Sequence, residues 1–97
     1  MPTYIQLVNY TQQGIEKIKQ CPSRLEAAKE VFRAAGAEIK DFYLVMGRYD
    51  IVAVSEAPDG ETMAKLALAI GSLGDVRTET LRVFTEEEYR KIIAALP

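Results

Sequence analysis

The strongest constraint on this chain is the order in which two periodicities follow one another along it. Four stretches carry the β-branched and aromatic residues of strands, and stretches with helical spacing separate them. Residues 4–10 (YIQLVNY) read as the first strand. A short helical start follows at Thr11 to Gly14, with Ile15 and Ile18 three apart. Pro22, which cannot donate a helical hydrogen bond, is expected to interrupt it. Ser23 to Glu26 (SRLE) has the pattern of a capping box. The helix behind it carries Leu25, Ala28, Phe32 and Ala35 on one stripe and stops at Gly36. Residues 37–46 and 49–55 read as two strands joined so tightly, through Gly47 and Arg48, that an antiparallel hairpin is expected. Asp59 is placed to cap a further helix with Met63, Leu66, Ala67, Ile70 and Leu73 at helical spacing, ended by Gly74 and Asp75. Residues 76–84 form the fourth strand. Thr85 to Glu88 is another capping box, opening a last helix with Tyr89, Ile92, Ile93 and Leu96 on one face.

The order is therefore β-α-β-β-α-β with a C-terminal helix. That predicts an α+β, ferredoxin-like domain: a four-stranded antiparallel sheet with its two main helices on one face. At 97 residues the chain is one domain, 1–97, with a modest core of its own. Two helices leave the other face of the sheet open, yet neither side of the strands is cleanly polar. Strand one sends Ile5 and Leu7 one way and Tyr4, Val8 and Tyr10 the other. Strand four sends Leu81 and Val83 one way and Thr78, Thr80, Arg82 and Phe84 the other. An open face that is partly apolar marks an interface. The expectation is a homo-oligomer, dimer or higher, with sheets packed face to face as in dimeric α/β-barrel assemblies, or joined at their edges.

Several function classes are disfavoured. A net charge of −2, with no Lys/Arg run, argues against nucleic acid as a partner. There is no histidine, so the usual general base and the commonest metal ligand are missing. The single cysteine, Cys21, forms no internal disulfide. It reads as a small packed residue, not a catalytic thiol, despite Lys17, Lys19 and Arg24 nearby. No metal and no cofactor is expected. No segment reaches the roughly 18 apolar residues of a membrane helix and no leader pattern opens the chain, so no membrane partner and a cytoplasmic location are expected.

The residues singled out for a ligand are Gly47, Arg48, Tyr49 and Asp50 at the hairpin, with Thr78 and Thr80 on strand four. A guanidinium, a phenol and a carboxylate at one turn can hold a small polar metabolite. The plainer reading is turn chemistry: Gly47 with positive φ, Tyr49 packed, Asp50 accepting turn hydrogen bonds. Arg77 and Glu79, two apart on strand four, read as an exposed ion pair. The Glu86 to Glu88 run belongs to a helix N-terminus, where carboxylates suit the dipole.

Residues 42–54 (FYLVMGRYDIVAV), with the opening MPTYIQLVNYTQQGI, SRLEAAKEVF and GSLGDVRTETLRVFTEEEY, resemble the GYD domain family of small bacterial and archaeal proteins over essentially the whole chain. One Arg stands here between the Gly and the Tyr. The resemblance implies no established activity. A more distant similarity links Gly47, Tyr49, Asp50, Gly74, Val76, Thr78 and Thr80 to the effector-binding domain of leucine-responsive regulators. That similarity implies assembly through sheets and a small ligand held between subunits. Two readings of function follow. One is a non-catalytic oligomeric domain that binds a small molecule or regulates. The alternative is a cofactor-free enzyme of the dimeric α/β-barrel type, with Asp50 or Glu79 as base and Tyr49 as acid, or a purely structural protein–protein module. A cavity holding a buried carboxylate would favour the enzyme, and a filled core would oppose it.

Overall fold

The computed structural model describes residues 1–97 as a four-stranded sheet with its two long helices packed on one side. Its elements are β1 (Thr3–Tyr10), α1 (Gln12–Glu16), α2 (Cys21–Ala34), β2 (Glu38–Leu44), β3 (Ile51–Glu56), α3 (Gly60–Ser72), β4 (Val76–Val83) and α4 (Glu86–Ala94). The strand order is β2-β3-β1-β4, and every neighbouring pair is antiparallel. This is the ferredoxin-like α+β arrangement expected from the element order.

Register assigns each side chain to a face. Val8 lies opposite Ile51 and Thr78, Gln6 opposite Ala53 and Thr80, and Tyr4 opposite Ser55 and Arg82. These residues face the helices, and Tyr4, Gln6, Val8, Ile51, Ala53 and Ser55 are all buried. The core beneath α2 and α3 joins Tyr4, Phe32, Ala37, Ala57, Met63 and Leu66, with Ile39 and Ile70 packed against it. On the open face, Ile5 stands between Val54 and Leu81, and Leu7 between Val52 and Glu79. That row of cross-strand apolar neighbours has no helix over it.

The region between β1 and α2 departs from expectation. No capping box forms at Ser23. The chain makes one turn of α1, a 3₁₀ turn at Ile18–Gln20, and then enters α2 directly at Cys21. Pro22 sits in the first turn of α2, where its missing N–H would have had no partner anyway, so it starts that helix instead of breaking one. Ser23 Oγ then donates to Gln20 O at 2.8 Å and no longer caps. The connection between β2 and β3 is also longer than two residues. It runs over 45–50 and is closed by Val45 N donating to Asp50 O at 2.9 Å. The two caps proposed for α3 and α4 are present. Asp59 accepts from Thr62 N at 2.8 Å, and that bond holds its carboxyl below the usual carboxylate range. Thr85 and Glu88 form a reciprocal capping box, which likewise lowers the Glu88 carboxyl.

The last helix is the odd element. Tyr89, Ile92, Ile93 and Leu96 lie on its apolar stripe and are between 46% and 62% exposed. Its side-chain hydrogen bonds and ion pairs stay within residues 85–91. The radius of gyration, 14.7 Å, exceeds the ~12.5 Å of a compact 97-residue domain, and the long dimension is 52 Å. A nine-residue helix is marginal alone in water, and this one buries none of its residues against its own chain.

Candidate functional site

The hairpin residues reach the sheet in two ways. Asp50 donates its N–H to Val8 O and accepts from Tyr10 N on Oδ2, each at 2.9 Å. The β1–β3 ladder ends at Val8 and Ile51, so the Tyr10 amide has no strand partner on that side, and the Asp50 side chain supplies one. Tyr49 extends across β1, and its phenol donates to Glu79 Oε2 on β4 at 2.9 Å. That bond raises the phenol pKa, because ionising the phenol would end its donation to the carboxylate. Gly47 takes φ +119 with no atom within 4 Å of an added Cβ, so it is there for backbone conformation alone. Arg48 is exposed.

The candidate residues do not converge as one site. Tyr49 meets Glu79 on the open face, whereas the register turns Thr78 and Thr80 towards the helices. A groove lined in part by Leu7, Asn9, Arg77 and Glu79 does include both Tyr49 and Thr78. Thr80 lies outside it. The expected Arg77–Glu79 ion pair is absent, because Glu79 is engaged by Tyr49. Neither carboxylate considered as a base sits in an apolar cavity: Asp50 holds a backbone amide, and Glu79 is exposed. Asp50→Ala is expected to cost about 1–3 kcal/mol, the range for leaving a part-buried amide unpaired, and Asp50→Asn should recover most of it. Urea unfolding of the three proteins tests this, and an alanine variant as stable as the parent would refute it.

Sequence reasoning overlooked a second region. Between the sheet and α2/α3 lies a partly open cavity of about 150 Å³, lined mainly by apolar side chains. Three of its lining residues are alanines on three elements, Ala28 on α2, Ala53 on β3 and Ala67 on α3, whose short side chains leave room there. Among its lining residues, Asp75, only 6% exposed, is ion-paired with Arg24 and accepts from Gln13 Nε2 at 2.9 Å. Tyr10 lies there too. Burial, then the neighbouring Cys21 thiol and the Asp50 carboxylate, push its phenol pKa upward. Cys21 is half-buried, with its Sγ 3.8 Å from Lys17 O. Gln6, buried in the wall, receives a hydrogen bond from Ser55 Oγ and points its own amide N–H at Met63 Sδ, 3.1 Å away. The only signal in the sequence was a polar glutamine at an inward position of an otherwise apolar strand.

The sequence matches the GYD domain over residues 4–93. This chain belongs to the GYD domain family. A relative from Thermus thermophilus is 40% identical over 82 residues, spanning 84% of this chain and 86% of that protein. It is named glutamine synthetase and cystathionine beta-lyase binding protein. The crystal structure of TTHA0845, also from Thermus thermophilus, superposes with a TM-score of 0.56 at 29% identity, over 88% of this chain and 95% of that one. In this GYD domain the Tyr and Asp of the signature tie the hairpin to β4 and β1. No helix of the chain is long and apolar enough to cross a membrane.

Proposed function

We propose that this GYD domain is a non-catalytic binding domain that acts as a homo-oligomer and docks on metabolic enzymes. The observation that carries the reading is the unpartnered apolar surface: Ile5, Val54 and Leu81 across the open sheet face, and the stripe of α4. A second copy would answer both. Its sheet would cover the apolar row, and its α4 would find the surface that its own chain lacks. The relative named for binding glutamine synthetase and cystathionine beta-lyase supports enzymes as the further partners. Asp50 and Glu79 have structural partners, and Asp75, the buried carboxylate among the cavity's lining residues, is ion-paired with Arg24 and accepts from Gln13, which supports binding over catalysis. A small polar metabolite held jointly by Gly47, Arg48, Tyr49, Asp50, Thr78 and Thr80 would have to bridge two faces of the sheet, so that reading gains no support from a single chain.

Two measurements test the proposal separately. Light scattering of the purified chain should give at least twice the 10.8 kDa protomer mass, and Val54→Arg should return it to one protomer. A parent that runs as a monomer at 100 μM ends the assembly reading. Titration of the assembled protein into purified glutamine synthetase and cystathionine beta-lyase from the same organism should show saturable binding to one of them. Silence with both removes the enzyme-docking half and leaves assembly standing.

A further inference from the structure

The cavity beneath α2 and α3 has the features of a built site. Its walls are Leu25, Phe32, Ile51, Met63 and Ile70, and its volume, about 150 Å³, matches that of apolar cavities that admit a benzene-sized molecule. Gln6 supplies the polar anchor. The side chain belongs to a residue only 6% exposed, and its amide has two N–H donors and one carbonyl. The carbonyl is satisfied by Ser55, but the donors have only the Met63 thioether, a weak acceptor. No buried side-chain nitrogen or oxygen lacks a partner, so the second Gln6 N–H is capacity that a ligand oxygen can use and not an uncompensated cost. The charged lining residues set a second condition. Arg24 is already paired with Asp75, and Gln13 completes that carboxylate, so the lining offers no unpaired positive charge to an anion.

We propose that this cavity binds a small uncharged molecule with a flat or branched apolar body and one oxygen, hydroxyl or carbonyl, that accepts from Gln6. The site lies within one chain and is independent of the assembly proposed above. It disfavours free amino acids, because a carboxylate and an ammonium would both be stripped of water among apolar walls.

The methionines provide the test. Met63 is 2% exposed and lines the cavity, whereas Met1 and Met46 are 65% and 99% exposed. In protein labelled at the methionine methyls, p-cresol should move the Met63 resonance saturably and leave Met1 and Met46 in place. Toluene, equal in body but lacking the oxygen, should bind at least tenfold more weakly, and benzoate more weakly still. Gln6→Leu should fold, bind toluene as the parent does, and lose the preference for p-cresol. Ala67→Leu, which fills the cavity, should abolish the Met63 response. Equal binding of p-cresol and benzoate, a preference that survives Gln6→Leu, or no saturable change at Met63 would each overturn the proposal.

Discussion

Gly14→Ala is expected to lower the melting temperature by about 15 °C, the largest single-residue effect anticipated outside the core. Gly14 is buried where α1 crosses the start of β4, and a Cβ there would overlap the Asp75 carbonyl and stand 3.3 Å from the Tyr10 ring. The closest obstacle is backbone, so no rotamer change relieves it. Thr11 holds the contact closed: its N–H donates to Asp75 O at 3.0 Å, and its hydroxyl to Gly74 O at 2.6 Å. Overpacking of this kind costs about 3 kcal/mol, and each kcal/mol moves the midpoint of a domain this size by roughly 4–8 °C. Gly71, near the end of α3, is the matched control. It has no atom within 4 Å of an added Cβ, so Gly71→Ala should raise the midpoint by a few degrees through the unfolded-chain entropy it removes. Thermal unfolding followed by circular dichroism compares the two, and a Gly14→Ala midpoint within 2 °C of the parent would refute the packing argument.

Arg24→Met should cost about 2–3 kcal/mol. Removing one partner of a buried ion pair costs about 3–5 kcal/mol because the other charge is stranded. Here the Arg24 side chain is 36% exposed and Gln13 remains on Asp75, so solvent and one amide soften the loss. The Arg24→Met/Asp75→Asn double variant removes the stranded charge and should regain at least half of it. Denaturant unfolding of the single and double variants makes this a cycle. A double variant no more stable than Arg24→Met would mean that the packing of the Arg stem matters and the ion pair does not.

How much was legible varies with the range of the interaction. The capping boxes illustrate the point. Thr85 to Glu88 and Ser23 to Glu26 carry the same local pattern, but only the first forms. Pro22 at the start of α2 moves the helix boundary three residues upstream, from a cap at Ser23 to one at Gln20, and Ser23 falls inside it. The signature behaves similarly. The hairpin pattern reads as Tyr49 packed and Asp50 accepting turn hydrogen bonds, or as both meeting a ligand, whereas their partners, Glu79 and the Tyr10 amide, lie 30 and 40 residues away. Spacing along the chain contains nothing about which residue will stand opposite. The same holds for Thr78 and Thr80, whose face depends on register with β1.

The sequence by itself determined the order of strands and helices, the apolar stripes that bind them into one layer on another, and the caps of α3 and α4. These follow from periodicity and from hydrogen bonds that close within four residues. Only the tertiary structure decided that Gly14 lies against Asp75, that Arg24 neutralises that carboxylate, and that three alanines on three elements leave a cavity beside Gln6. Each of these depends on the distance between segments far apart in the chain, and that distance is set by how whole elements pack, not by any residue's own preference.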